Sequence, residues 1–196
     1  MKNGKLFVIS GASGVGKGTV LKAVMEKRDD LFFSVSATTR DPRPGEVDGV
    51  HYYFISAEKF EEMIREGEFL EYDAHAKNYY GTPRGQAREK QQRGHVLLDI
   101  EPKGAEQVKQ ADPEATLIFI MPPSMEELEK RLRGRGDTPE DQIAIRTERA
   151  HWEMDQRSWY DYVVVNDSVE RCAEEILNIA SQVKKKIYLY LIELEA

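Results

Sequence analysis

The run Gly11-Ala12-Ser13-Gly14-Val15-Gly16-Lys17-Gly18-Thr19 is the part of this chain best suited to chemistry. Its glycines free the backbone to turn successive N–H groups toward one point, which makes an anion nest. The apolar run Leu6 to Ile9 precedes it and a helical pattern follows it. A helix N-terminus at that place adds unpaired donors and a favourable dipole. Lys17 brings a full positive charge. These features make a phosphate-binding loop, a P-loop, with Lys17 serving the β and γ phosphates of a nucleotide. One position departs from the strict pattern. Gly18 stands where a Ser or Thr would ligate Mg²⁺, and Thr19 comes one residue later. Mg²⁺, carried as MgATP, is therefore expected to be held mainly by nucleotide phosphates and waters.

A second group of residues suits a phosphate acceptor. Arg40 and Arg43 flank a Pro-Gly turn, and two guanidinium forks fit one phosphate dianion. Tyr52 and Tyr80 can donate hydroxyl hydrogen bonds to the same group. Judged alone, such a set is more often a solvated basic turn with packing tyrosines. Glu71, within Phe69-Leu70-Glu71-Tyr72, judged alone is an exposed strand residue. Asp99-Ile100-Glu101 ends an apolar run, where α/β folds place their ligands. Arg131, Arg135 and Arg146 lie in a charged stretch able to neutralise a transferring phosphoryl group. Arg133 and Arg149 read as solvated. His51, His75, His95 and His151 have no metal-ligand spacing. Trp152 and Trp159 read as packing residues, and Cys172 as a half-buried helix position.

These side chains need a scaffold. The chain has 196 residues, 28 Lys+Arg against 35 Asp+Glu, a net charge of −7, and 40% hydrophobic residues. That apolar share builds a packed core and excludes a disordered chain. The length suits one domain with inserted lobes. The acidic balance argues against nucleic acid as a partner, since broad nucleic-acid binding runs on Lys and Arg. A single cysteine permits no internal disulfide and no thiolate zinc site, so a cytoplasmic compartment is expected. No apolar run approaches the ~20 residues of a membrane span, and no signal peptide is visible before Leu6.

The apolar runs Leu6 to Ile9, Leu31 to Val35, Val96 to Ile100, Thr116 to Ile120 and Tyr162 to Val165 read as strands buried on both faces. Helical patterns at Thr19 to Lys27, Ala105 to Gln110, Met125 to Arg133 and Val169 to Lys184 separate them. The alternation predicts an α/β fold with a central parallel sheet. Two stretches break it. Thr38 to Arg84, rich in Gly, Pro, Tyr and charge, predicts an inserted lobe with its own small sheet. Gly134 to Ser158 predicts a turn over Gly134 to Pro139 and a helix from about Glu140 to Gln156, together a lid.

The segment Ser34-Val35-Ser36-Ala37-Thr38-Thr39-Arg40-Asp41-Pro42-Arg43-Pro44-Gly45-Glu46-Val47-Asp48-Gly49-Val50-His51-Tyr52-Tyr53-Phe54, taken with the P-loop, closely resembles guanylate kinases. Gly67-Glu68-Phe69-Leu70-Glu71, Asn78-Tyr79-Tyr80-Gly81-Thr82, Arg131-Leu132-Arg133-Gly134-Arg135-Gly136 and Val163-Val164-Val165-Asn166-Asp167 match as well, so the resemblance covers about residues 4 to 185. It implies a three-layer P-loop NTPase fold. The core would span about 1–35, 86–125 and 159–196, a GMP-binding lobe with a small mixed sheet about 36–85, and a helical lid about 126–158.

The implied activity is transfer of the ATP γ-phosphoryl group to GMP, and to dGMP, in line and with closure of lobe and lid. By resemblance, Gly11 to Thr19, Arg131, Arg135 and Asn166 bind ATP. Arg40, Arg43, Tyr52 and Tyr80 bind the GMP phosphate. Glu71 faces guanine N1–H and N2–H, Ser36 and Thr82 face O6 and N7, and Glu101 also faces guanine. Asp99 serves the Mg²⁺ water shell or the phosphate end. Lys17, Arg40, Arg43, Arg135 and Arg146 carry the catalysis. Pro102-Lys103 departs from the family, which has an apolar residue and Gln there.

Two rivals remain at this level. One is a phosphopeptide-binding scaffold of the same fold; the other is a P-loop kinase with a different acceptor. For Asn166-Asp167, a border to the ATP adenine and a cap for the following helix are equal readings. The tail Ile187 to Ala196 extends the last helix, docks on the core or contacts a second subunit. The expected assembly is a monomer or a homodimer.

Overall fold

A computed structural model describes residues 4–75, 77–134 and 140–194, with side chains for all of these except 75, 140, 141 and 183–194. The strands are β1 (Leu6–Gly11), β2 (Leu31–Phe33), β3 (Ala37–Thr38), β4 (Tyr53–Phe54), β5 (Phe69–His75), β6 (Asn78–Pro83), β7 (His95–Asp99), β8 (Thr116–Met121) and β9 (Tyr162–Val165). The helices are α1 (Lys17–Glu26), α2 (Ala57–Arg65), α3 (Arg84–Arg93), α4 (Pro102–Ala111), α5 (Met125–Arg133), α6 (Glu140–Asp155) and α7 (Val169–Leu194). A central five-stranded sheet has the order β2-β7-β1-β8-β9, and a four-stranded sheet the order β4-β3-β6-β5. The α/β class with a central parallel sheet and a small mixed sheet is therefore as expected.

The chain divides into two compact units, Met1–Ser10 with Asp29–Leu117, and Gly11–Arg28 with Ile118–Ala196. In the first, β7 pairs in parallel with β1 and with β2. Leu6, Phe7, Val8, Ile9, Val96, Leu97 and Leu98 are buried, as continuous apolar strands require. The small sheet is mixed because β3 runs parallel to β4 and antiparallel to β6, which pairs antiparallel with β5. Its core is aromatic. Phe60 of α2 stacks between Phe69 and Tyr79, with ring centroids 4.3 and 5.2 Å away. Ser56 caps α2 by accepting from the Lys59 N–H.

In the second unit, β8 and β9 run parallel from Ile118↔Tyr162 to Met121↔Val165. Helix α1 packs on α7 through buried Val20, Leu21 and Val24, and α5 packs on α6. Ser124 caps α5 by accepting from the Glu127 N–H.

Several boundaries differ from the sequence reading. Helix α1 begins at Lys17 rather than Thr19, because the loop's last N–H groups already enter the helix. Strand β2 ends at Phe33. Helix α2 lies inside the stretch Thr38 to Arg84, for which the pattern predicts a small sheet, and α3 just after it carries no periodic pattern. Strand β9 is not buried on both faces: Tyr162, Val163 and Val165 are 38–43% exposed, because it is the last strand of its sheet. Cys172 is fully buried, and burial pushes its thiol up to about 12. Trp152 and Trp159 are exposed, Trp159 resting on Tyr160. Helix α7 continues through the apolar tail to Leu194, so extension of the last helix is the outcome there.

Candidate active site

The phosphate loop belongs to the second unit. Gly14 and Gly16 have φ of 88° and 94°, the left-handed region that the anion nest requires. The Val15 N–H donates to the Ala12 carbonyl at 3.0 Å, and the Thr19 and Val20 N–H groups turn back to Gly16. Lys17 Nζ reaches the Gly11 carbonyl at 3.4 Å. A side chain added at Gly18 would meet nothing within 4 Å, so its missing hydroxyl is not a steric necessity.

The outer side of the loop is held by neighbours in the same unit. The Val15 carbonyl accepts from Asn166 Nδ2 at 2.8 Å and from an Arg131 Nη at 3.3 Å. Arg131 also donates to the Asn166 carbonyl at 3.1 Å and to Glu127 Oε1 at 3.1 Å. The Ser13 N–H donates to Glu153 Oε2 at 2.7 Å. Glu153 is buried and also accepts from Arg149 Nε at 3.0 Å, so Arg149 is not solvated as expected. The sequence reading missed Glu153. A carboxylate and an arginine four apart in a charged helix look like any surface pair. Arg146 is half-buried on α6. Arg135 lies outside the described residues. Ser168 caps α7 by accepting from the Arg171 N–H at 3.2 Å, while Asp167 accepts from the Ser168 N–H and pairs with the Arg171 side chain, so the capping residue is Ser168.

The acceptor residues belong to the first unit. A pocket of about 270 Å³ is lined by Ser36, Tyr52, Glu71, Asp73, Tyr80, Gly81, Ile100, Glu101 and Gly104. Glu71 on β5 is 5% exposed, not the surface residue it reads as in isolation. The Thr82 hydroxyl donates to Glu71 Oε1 at 2.6 Å. Thr82 thus sits against Glu71 and is not among the residues that line the pocket. Helix α4 comes close because residue 104 is Gly: a Cβ there would collide with the Glu71 carboxylate. Gln107 fixes the register by bonding both the N–H and the carbonyl of Tyr72. Burial pushes the Glu71 carboxyl up to about 7, the Thr82 bonds pull it down, and the charges of Asp73 and Glu101 add to the rise.

Along β5, residues 71 and 73 share a face. Asp73 was not singled out in the sequence, and it faces Lys103 Nζ at 3.9 Å. Glu101 is exposed and immediately precedes α4. Asp99 ends β7, and its charge, after burial, raises the Tyr52 hydroxyl pKa.

Arg40 already has a carboxylate partner. Its two Nη atoms donate to the two Glu46 oxygens at 2.9 Å each, and its guanidinium lies 5.5 Å from the Tyr52 ring centroid. Glu46 also accepts from the Arg43 N–H at 2.7 Å. The Arg40 bonds, then the Arg43 bond, hold the Glu46 carboxyl down at about 2. Tyr52 and Tyr80 meet edge to face, with centroids 6.0 Å apart. The structure thus brings Ser36, Tyr52, Glu71, Tyr80 and Glu101 to one pocket, while Arg43 is exposed. Among the described residues no group of three or more His, Cys, Asp or Glu could hold a metal ion. No helix there is long and apolar enough to cross a membrane.

The family model for guanylate kinase matches residues 3–183. The chain is 49% identical over 191 residues to a guanylate kinase of Clostridioides difficile, covering 97% of this chain and 93% of that protein. It is 50% identical over 184 residues to one of Thermus thermophilus, covering 93% and 83%. The crystal structure of guanylate kinase from Anaplasma phagocytophilum aligns with a TM-score of 0.74 at 33% identity, over 92% of this chain and 86% of that one. A P-loop followed by its helix, a pocket lined by a buried carboxylate, and these matches over nearly the whole length agree: the chain belongs to the guanylate kinase family.

Proposed function

We propose that this protein phosphorylates GMP, and dGMP, to the diphosphate with ATP. The buried Glu71 carboxylate, held by Thr82 in the acceptor pocket, carries this reading. Guanine offers N1–H and N2–H together to one carboxylate. Adenine has no N1–H and no 2-amino group, so it would offer Glu71 neither donor beyond the Thr82 bond, a basis for rejection. Ser36 and Tyr80 line the same pocket, and Arg40, Arg43, Tyr52 and Tyr80 take the acceptor phosphate. Phosphate competes with Glu46 for Arg40, and Glu46 keeps the fork oriented until it arrives.

The nest from Gly11 to Thr19 takes the ATP phosphates, and Lys17 the β and γ groups. An oxygen of the GMP phosphate attacks Pγ, the bond from Pγ to the β-bridging oxygen breaks, and ADP leaves. That oxygen is already ionised, so no protein nucleophile or base takes part. Arg146 and Arg135 stabilise the charge on the transferring group. No hydroxyl directly follows Lys17, which suits a metal held by phosphates and waters. Mg²⁺ bound with ATP would supply charge neutralisation for the transfer. In-line transfer needs water excluded, and closure of the lobe at about 36–85 and the lid at about 126–158 excludes it.

A coupled ADP-release assay with GMP, dGMP, AMP, UMP, CMP and dTMP tests the reading. Turnover of GMP and dGMP alone is expected. Activity with AMP or dTMP and none with GMP would overturn it.

A further inference from the structure

Glu153 is 3% exposed and bonded to a backbone N–H of the loop that must receive a polyphosphate. Burying a carboxylate is costly, and its charge repels the incoming nucleotide. Such a group persists only where its hydrogen bonds offset both effects. Here the Ser13 N–H at 2.7 Å and Arg149 Nε at 3.0 Å supply them. Charge-assisted bonds of this kind are among the strongest available to a protein.

The second observation is where α6 carries its cations. Arg146, Arg149 and Glu153 are spaced by three and four residues, so they share one face of the helix. At 1.5 Å rise per residue, Arg146 stands about 10 Å along the axis from the bond to Ser13. Fixing the end of α6 at Glu153 therefore fixes Arg146 with respect to the phosphate loop.

We propose that Glu153 is a positioning residue for phosphoryl transfer. It ties α6 to the P-loop and, through that tie, sets where Arg146 meets the phosphates. The inference rests on the reading that the loop holds ATP.

A double-mutant cycle tests it, pairing Glu153→Ala with Arg146→Ala. Turnover, ATP KM and calorimetric GMP affinity are measured for each protein. Glu153→Ala is expected to lower kcat about 30-fold and to raise the ATP KM about 10-fold, with GMP affinity within about twofold. Glu153→Gln keeps an oxygen acceptor for the Ser13 N–H and should recover much of the KM. The penalty of Arg146→Ala should shrink several-fold once Glu153 is gone, because an untied helix no longer delivers the arginine. An unchanged kcat in Glu153→Ala overturns the proposal. So does an Arg146→Ala penalty equal in both backgrounds, or a parallel fall in GMP affinity. Should Glu153→Ala fail to fold, Glu153→Leu, which fills the same volume but accepts no hydrogen bond, carries the same cycle. Wild-type protein unable to phosphorylate GMP would overturn the functional reading instead. A wild-type level of activity in the variants that remove the acceptor would count against the tie alone.

Discussion

The phosphate loop and the acceptor pocket are built from different material. The loop is backbone: glycines at positive φ, turned N–H groups, and one lysine. Neighbouring side chains hold it from outside, at Ser13 and Val15. The pocket is almost all side chain, and its polar groups already have partners. Thr82 bonds Glu71, Arg40 bonds Glu46, and Lys103 faces Asp73. A nest of backbone donors does not titrate, although the Ser13 and Val15 N–H groups already have partners at Glu153 and Ala12. A pocket of paired side chains must exchange partners when its ligand arrives, and one of its groups titrates near neutrality. Changes in one unit should then move the affinity for one nucleotide and spare the other.

The largest effect is expected for Lys17→Met. Turnover should fall by about a thousandfold or more while calorimetric GMP affinity stays unchanged. A matching loss of GMP affinity would break the division between the two sites. Next comes Glu71→Gln, which puts an amide where guanine needs a carboxylate. KM for GMP should rise on the order of a hundredfold with ATP KM unaltered.

The pH response sharpens the contrast. Burial raises the Glu71 carboxyl to about 7, and guanine N–H donors require it ionised. If Glu71 faces guanine as proposed, GMP binding should expel a proton at and below about pH 7. Affinity should climb with pH up to about 7 and fall toward tenfold per unit below it. Isothermal titration between pH 5.5 and 8.5 reads this directly, and Glu71→Gln should flatten the profile. For folding, the sign is reversed. The folded state keeps a proton that the unfolded chain releases near the ordinary 4.5, so this stabilising contribution is complete below 4.5 and is lost as pH rises through about 7. Thermal unfolding at pH 8 should accordingly find Glu71→Gln at least as stable as the parent.

Smaller effects probe the outer ring of the pocket. Glu46→Ala leaves the Arg40 fork without its clamp, and GMP KM should rise about fivefold to tenfold. Lys103→Gln removes a pair whose lysine is 63% exposed and 3.9 Å from its partner. Such pairs contribute about 0–1 kcal/mol, so GMP KM should change less than about threefold. A larger change would make the Asp73–Lys103 pair part of base recognition.

Much of this was legible in the sequence. Helix α5 and strand β9 fall where the patterns put them, since short-range periodicity and capping act within a few residues. The small sheet was foreseen, but α2 and α3 were not. Helix α3, Arg-Gly-Gln-Ala-Arg-Glu-Lys-Gln-Gln-Arg, buries only Ala87 and so has no apolar stripe to show. The exposure of β9 was hidden because an edge strand and a central one can carry the same apolar run.

By itself, the sequence determined the phosphate loop and the alternation of strands and helices around it. A nest needs only contiguous residues with the right backbone freedom. Tertiary structure decided which charges are buried and which partners they keep. Glu71 is buried because Gly104 lets α4 close over it, and Glu46 takes the fork of Arg40. Glu153 meets Ser13 across 140 positions of chain, a pairing that exists only after the helices have packed.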